Sequence, residues 1–117
     1  MRLGLFIFCF VFVVGAAHAK HKRMEYEYVS EHCDGRTEVT LRDRTRVDCL
    51  TDEYAIEFDF APKWAEAVGQ SLHYARMTQR LPAIYIILES AKETRFVDRL
   101  SPLCDIYGIK LFLIKNY

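Results

Sequence analysis

The sequence predicts an α/β domain built on a mixed β-sheet, with an antiparallel three-strand meander and flanking helices. Three short segments of alternating apolar and polar residues follow one another closely between residues 37 and 60, and only tight turns separate them, which favours an antiparallel meander. Two later apolar segments, at residues 83–88 and 109–114, each follow a helical pattern, which favours strands parallel to a neighbour. The predicted order of elements is therefore α-βββ-α-β-α-β.

The first half of the predicted domain contains one short helix and the meander. The helix covers Met24–Cys33 and stops at Asp34-Gly35, because glycine commonly follows the last helical turn. The strands cover Thr37–Leu41, Thr45–Leu50 and Glu53–Phe60. Their alternation predicts that each strand has one apolar face, formed by Val39 and Leu41, by Val47 and Cys49, and by Tyr54, Ile56, Phe58 and Phe60.

The second half alternates helices with strands. Pro62 opens a helix that runs to Met77, because the missing N–H of proline costs nothing in a first turn. Leu81-Pro82 breaks this pattern, and the continuous apolar run from Ala83 to Leu88 predicts a strand covered on both faces. A further helix (Lys92–Cys104), the breaker Gly108 and a last strand (Ile109–Ile114) complete the chain. The apolar stripe of the longer helix consists of Trp64, Val68, Leu72 and Ala75.

The first 19 residues have the pattern of a secretory signal peptide. Met1-Arg2 precedes an apolar run from Leu3 to Val14, and an A-x-A sequence ends at Ala19. The alternative is an uncleaved membrane anchor, but the run is short for a bilayer, which needs about 20 apolar residues. We therefore expect a signal peptide at residues 1–19 and one exported domain at residues 20–117, periplasmic or secreted, with no membrane contact after cleavage.

Charge and cysteine content limit the function further. The chain has 16 basic and 16 acidic residues, so it lacks the basic excess of a typical DNA-wrapping protein and any nucleic-acid contact has to be local. An oxidising compartment allows one disulfide among Cys33, Cys49 and Cys104. The sequence does not settle the pair; Cys33 with Cys49 is favoured because it would tie the first helix to the sheet. Nothing in the sequence indicates an oligomeric state.

Acidic residues concentrate on one face of the predicted meander. Glu57 and Asp59 are two residues apart on a strand, so their side chains point to the same face, opposite Phe58. By the same parity, Asp48 and Glu38 point to that face from the two preceding strands. Clustered carboxylates repel unless a cation offsets them, and Mg²⁺ prefers oxygen ligands of this kind. A solvated sheet face with no function is the alternative interpretation.

A polar stripe on the following helix adds side chains that could contact phosphates and bases. Lys63, Glu66, Gln70 and Tyr74 are spaced three, four and four residues apart and fall on one side of the helix, distinct from the apolar stripe. Such a stripe is also typical of a solvated helix face.

Four short motifs, in this order and spacing, resemble the PD-(D/E)XK nuclease superfamily, which has the restriction-endonuclease-like fold. The resemblance covers about 40 residues closely, from Gly35 to Tyr74, and extends in topology to about 80. The motifs are G-R-T-E (Gly35–Glu38), R-V-D-C-L (Arg46–Leu50), A-I-E-F-D-F (Ala55–Phe60) and Q-S-L-H-Y (Gln70–Tyr74).

The resemblance implies an exported, metal-dependent nuclease that hydrolyses phosphodiester bonds in DNA or RNA with Mg²⁺ or Mn²⁺. Asp48 and Glu57 would then be catalytic metal ligands, and Glu38 would be the acid from the first core element. Gln70 and Tyr74 match the Q-x-x-x-Y element, which lies near the substrate backbone, and Glu66 lies on the same helix stripe.

One departure from the family pattern limits this inference. The superfamily expects E-x-K, whereas this chain has Glu57-Phe58-Asp59. Lys63, at the start of the next helix, is the natural substitute for the missing lysine, and Asp59 would become an additional metal ligand. The alternatives are a catalytically inactive protein that binds a nucleic acid or a protein partner, and an exported structural domain without a ligand.

Overall fold

The computed structural model describes residues 21–117 as one five-stranded mixed sheet with helices on both faces; the predicted signal peptide lies outside this range. No helix within residues 21–117 is long and apolar enough to cross a membrane. In chain order the elements are α1 (Glu25–His32), β1 (Arg36–Thr40), β2 (Arg46–Leu50), β3 (Tyr54–Phe60), α2 (Trp64–Thr78), β4 (Leu81–Leu88), α3 (Thr94–Tyr107) and β5 (Lys110–Lys115), with 3-10 turns at Ala61–Lys63 and Ala91–Glu93.

The strands lie in the sheet in the order in which they occur in the chain. β1, β2 and β3 pair antiparallel, and β4 and β5 add to them in parallel. The α/β class, the mixed sheet and the three-strand meander are therefore confirmed. The parallel pairs follow α2 and α3 because a parallel neighbour can be reached only through a crossover.

Helices cover the two faces of the sheet separately. α1 packs Tyr28 and Val29 against Phe58 and its neighbours in one core cluster. α2 and α3 pack on the other face, where Ile84 and Ile86 of β4 are fully buried. The continuous apolar run of β4 thus supplies both faces, and each fully buried side chain of this size contributes about 1.5–3 kcal/mol. Trp64, Val68 and Leu72 of the predicted apolar stripe all pack here.

Local backbone geometry explains where the two longer helices begin and end. Pro62 lies in the 3-10 turn before α2, where its missing N–H is harmless. α2 ends at Thr78, because the next residue, Gln79, adopts the left-handed backbone conformation at φ 56°. α3 continues three residues beyond the predicted end at Cys104 and stops at Gly108, which has φ 66° and therefore suits glycine.

The junction between α1 and β1 is held tightly against the end of β2. α1 ends at His32, and Cys33 is already extended, so Gly35 is not the helix stop that the sequence predicted. A Cβ on Gly35 would lie 2.3 Å from the carbonyl oxygen of Leu50, so only glycine fits here. A disulfide joins Cys33 to Cys49, the pair favoured from the sequence, and fixes α1 to the sheet.

β2 and β3 separate on the Asp48 side of the Cys49↔Ile56 pair. Their ladder contains only Cys49↔Ile56 and Leu50↔Ala55, although both strands continue. Glu38, which would face Asp48 across β1 and β2, has φ 55° and interrupts the regular pairing there. The irregularity also separates Val47 from Cys49: Val47 packs with Tyr74 of α2, whereas Cys49 packs on the α1 side. The predicted common face of Val47 and Cys49 is therefore wrong.

Candidate functional site

Three acidic side chains are buried where β2 and β3 separate. Asp48, Glu57 and Asp59 are only 8%, 5% and 4% exposed. Phe58 between the two β3 acids packs on the α1 side, so Glu57 and Asp59 project to the α2 side, as strand parity requires. Buried carboxylates are rare without a paired cation, so this cluster is the most unusual polar feature of the sheet.

The Asp48 carboxylate occupies the gap between the strands. Its Oδ2 accepts a hydrogen bond from the backbone N–H of Phe58 at 2.8 Å, so it replaces the strand carbonyl that a regular ladder would supply. A buried N–H left without an acceptor costs about 1–3 kcal/mol. The separation of the strands therefore creates the position of Asp48, and Asp48 in turn stabilises the separated strands.

Glu57 is the least satisfied group of the cluster. Burial, and then the charges of Asp48, Asp59 and Glu25, together raise its pKa to about 10. A hydrogen bond between the Asp48 and Glu57 carboxyls also favours the protonated form of Glu57. Its Oε2 is buried and has no hydrogen-bond partner within the described part of the chain. At neutral pH, Glu57 is therefore protonated, and one of its carboxyl oxygens lacks a hydrogen bond.

Asp48 and Asp59 are perturbed less, because each has a compensating interaction. Burial raises the pKa of Asp48 to about 6, although the hydrogen bond from Phe58 opposes the shift. Burial also raises the pKa of Asp59 to about 6, opposed first by the positive charge of Lys63. The exposed Lys63 therefore lies within electrostatic reach of Asp59, which is the position that the sequence predicted for it.

Glu25 at the start of α1 lies within electrostatic reach of the cluster, and the sequence reasoning missed it. Burial raises its pKa to about 7, and Asp48 and Asp59 add to this shift. A signal for it existed: Glu25 lies three and four residues before Tyr28 and Val29, on the helix face that is buried. An acidic residue on an apolar helix face indicates a partner inside the fold.

Glu38, the fourth predicted metal ligand, is directed elsewhere. Its carboxylate forms a 2.7 Å ion pair with Arg46, and both side chains are largely exposed. Its charge still raises the pKa of Asp48, so it remains next to the site. Glu38 therefore borders the buried acids and is not part of them.

The predicted polar stripe of α2 contains three exposed residues and one buried residue. Lys63, Glu66 and Gln70 are exposed, whereas Tyr74 is 6% exposed and packs against Val47. Burial and then the charges of Glu57 and Asp48 raise the pKa of Tyr74 to about 12, so its hydroxyl stays protonated beside the acids. Glu66 is close enough to raise the pKa of Asp59. No hydrogen bond within residues 21–117 involves the Gln70 side chain, and nothing places it at the cluster.

The acids suit a hard cation in chemistry but not in their present geometry. Asp48, Glu57 and Asp59 supply only oxygen donors, and Glu57 Oε2 lacks a partner, which is what Mg²⁺ or Mn²⁺ would use. However, within the described range no group of three or more His, Cys, Asp or Glu side chains is placed so that it could hold a metal ion. A cation would have to separate Asp48 from Glu57.

Other candidate ligands are engaged in structural contacts. His73 lies 2.8 Å from Asp43 of the β1–β2 turn, and His32 packs against Tyr85. Cys104 is buried and forms no disulfide with any residue of 21–117. Burial raises the pKa of its thiol to about 11, so it stays in the unreactive protonated form.

Comparison with known proteins adds no identification. No protein-family model, no curated protein and no solved structure matches this chain. Its function is therefore inferred from its own residues.

Proposed function

We propose that this chain is an exported, metal-dependent phosphodiester hydrolase with a restriction-endonuclease-like fold, acting on DNA or RNA. One observation carries the proposal: Glu57 is buried among like charges with an oxygen that has no partner. Such a group lowers the stability of the fold unless a bound cation or another partner compensates for its burial. A divalent cation beside Asp48 and Glu57 would replace the proton and offset the repulsion.

The bound metal would supply Lewis-acid stabilisation of the phosphate and a more acidic water. Asp48 and Glu57 would hold the metal, and Asp59 would add a further oxygen ligand next to it. Lys63 would direct its ammonium to the negative charge that builds on the phosphate, in place of the lysine of the family pattern. Glu66, Gln70 and the Tyr74 hydroxyl would contact the substrate backbone along α2.

The second candidate function is a catalytically inactive protein that binds a nucleic acid. It is favoured by Asp59, which stands where the family pattern has lysine and is buried instead of reaching substrate. In this alternative the acids would bind a cation without hydrolysis.

The test is a cleavage assay on labelled single-stranded and duplex DNA and on RNA, with Mg²⁺, Mn²⁺ or EDTA. We expect metal-dependent cleavage that is abolished in Asp48→Asn/Glu57→Gln. These changes keep the side-chain shape but remove the negative charges that would bind the metal. We expect Lys63→Ala to lower the rate about 100-fold or more with little change in apparent substrate affinity. The matched control is Glu53→Gln/Asp98→Asn, which removes two exposed acids that make no side-chain hydrogen bond in residues 21–117.

Each outcome decides between the candidate functions. Cleavage in the control but not in the site variant supports the hydrolase. Metal binding without cleavage, lost in Asp48→Asn/Glu57→Gln, supports the inactive binding protein. Cleavage that persists in the site variant would contradict both, because it would come from elsewhere or from a contaminant.

A further inference from the structure

Arginine is concentrated in one part of this otherwise charge-balanced chain. Residues 36–46 and 76–80 contain six of the ten arginines and only two acids, Glu38 and Asp43. Both acids are already occupied, Glu38 by Arg46 and Asp43 by His73. The rest of the chain has ten basic and fourteen acidic residues, so positive charge is segregated to this region. We call this region the arginine surface; its arginines are Arg36, Arg42, Arg44, Arg46, Arg76 and Arg80.

The two segments of the arginine surface are neighbours in the fold. His73 of α2 lies 2.8 Å from Asp43 in the β1–β2 turn, and Val39 and Leu41 pack in the cluster that contains Tyr74. Two surface cavities lie between the same segments. One, of about 470 Å³, has Arg42 on one wall and Met77–Gln79 on the other. The second, of about 260 Å³, is lined by Arg36 and Arg80 together with Asp34 and Asp52. The two segments therefore border the same two cavities.

Most of these arginines have no carboxylate partner within residues 21–117. Arg36, Arg42, Arg44, Arg76 and Arg80 form no salt bridge with any residue of 21–117, and all except the half-buried Arg80 are exposed. Unpaired guanidinium groups bind phosphate through two parallel N–H donors, so arginine recognises phosphate more specifically than lysine does. The surface is therefore suited to phosphate groups.

The backbone under this surface is strained. The three non-glycine residues with positive φ in residues 21–117 all lie here: Glu38, Arg44 and Gln79, at φ 55°, 71° and 56°. Arg44 closes the β1–β2 turn, where glycine or asparagine would fit at lower cost. An arginine kept in such a position indicates a use for its side chain beyond folding.

The length of the surface distinguishes a polymer from a small anion. Arg36 begins β1 and Arg42 lies just beyond its end, six residues later, which is about 20 Å of extended chain. That length matches about six phosphates along one strand of a duplex. A free phosphate or a mononucleotide would reach one end only.

We propose that the arginine surface binds the phosphate backbone of a nucleic acid. It rests on the proposed function and deepens it, because Arg46 lies two residues before Asp48 on β2 and pairs with Glu38. A strand held by Arg42 and Arg44 would therefore continue toward Asp48. The contact is sequence-independent, since phosphates carry no base information.

The test measures binding of fluorescent oligonucleotides of about 20 nucleotides, as duplex DNA, single-stranded DNA and RNA, by anisotropy in EDTA. The exported protein is compared with Arg42→Gln/Arg44→Gln and with the matched control Arg95→Gln/Arg99→Gln, which removes two exposed arginines from α3. We expect the first variant to weaken binding about tenfold and to reduce the slope of log affinity against log salt by about two, and the control to change neither.

A second variant keeps the test independent of folding. Arg44→Gly relieves the positive-φ strain, so we expect its Tm to equal or exceed that of the original protein while its affinity for the oligonucleotides falls. Asp48→Asn/Glu57→Gln is expected to bind at least as tightly as the original protein, even where cleavage is lost. Failure of catalysis is thereby separated from failure of the arginine surface.

Equal weakening in the α3 control would overturn the proposal, because overall charge would then explain binding. No binding to any oligonucleotide at low salt would overturn it as well. Binding to phosphatidylglycerol vesicles that depends on Arg42 and Arg44, without oligonucleotide binding, would assign the surface to lipid instead.

Discussion

The two halves of the sheet differ in regularity. In the parallel half, β3 and β4 stay in register from Tyr54↔Leu81 to Phe60↔Ile87, and β5 continues the same pattern. In the antiparallel half, the β2–β3 ladder ends after two residue pairs, and both Glu38 and Arg44 have positive φ. β4 buries aliphatic side chains on both faces, whereas the buried carboxylates lie where β2 and β3 separate and the arginines are exposed around β1 and β2.

The two halves of the sheet therefore have different roles. The parallel half supplies the core from which the fold gains its stability. The antiparallel half gives up ladder hydrogen bonds, and Asp48 takes the place of one of them at Phe58. The buried acids therefore lie where the sheet is least regular. This is expected of a functional site, because functional groups often lower the stability of the fold.

Truncation of the parallel core is expected to have the largest effect. Ile86 is fully buried between β4 and the helices, so Ile86→Ala removes its packing and leaves a cavity. We expect the free energy of unfolding to fall by about 2–5 kcal/mol in urea denaturation. A loss below about 1 kcal/mol would contradict the view that this half supplies the core.

Gly35, at the junction of α1 with β2, should tolerate substitution less well than Gly108. A methyl group on Gly35 would meet the Leu50 carbonyl, so we expect Gly35→Ala to destabilise by about 2–3 kcal/mol. Gly108→Ala meets no atom within 4 Å and suffers only from its positive φ, so about 1 kcal/mol is expected. Thermal denaturation of the two variants, side by side, provides the comparison; equal losses would show that the close approach at Gly35 is unimportant.

Removal of an acid from the irregular half should stabilise the protein. Without metal, Glu57 must take up a proton on folding because its pKa is raised to about 10. Glu57→Gln removes this requirement, and we expect about 1–3 kcal/mol of added stability at neutral pH in EDTA. Glu53→Gln, an exposed control, should change stability by less than about 0.5 kcal/mol. A destabilised Glu57→Gln protein would mean that Glu57 is already well paired.

A pH dependence of unusual sign is also expected. The folded-state pKa values of Glu57, Glu25, Asp48 and Asp59 all lie above those of ordinary carboxyls, so the folded state binds more protons than the unfolded state. In EDTA, stability should therefore fall as pH rises from about 4 through 7, most steeply between about 4 and 6. Thermal melts across this range measure it; rising stability would contradict the buried-acid account.

Sequence patterns predicted the scaffold better than the site. Periodicity placed every helix and strand, because the alternation of β3 and the apolar run of β4 follow from burial alone. Parity also placed Glu57 and Asp59 together on the face opposite Phe58. It could not predict that Val47 and Cys49 face opposite sides, because that depends on the separation of β2 from β3. It also could not place Glu25 within electrostatic reach of Asp48, because the position of α1 depends on tertiary packing.

The arginine surface was missed for a similar reason. The total charge of the chain concealed it, since six arginines are balanced by acids elsewhere. The two segments that form it are separated in sequence by β3 and most of α2, and they meet only through contacts such as His73 with Asp43. Local charge counted along the chain would have found the hairpin arginines but not their neighbours on α2.

A metal site at the buried acids is tested most directly by calorimetric titration of the protein with Mn²⁺ at neutral pH. We expect saturable binding that is lost in Asp48→Asn/Glu57→Gln and kept in Glu53→Gln/Asp98→Asn. Absence of binding in the original protein, or equal binding in all three proteins, would contradict a metal site at the buried acids.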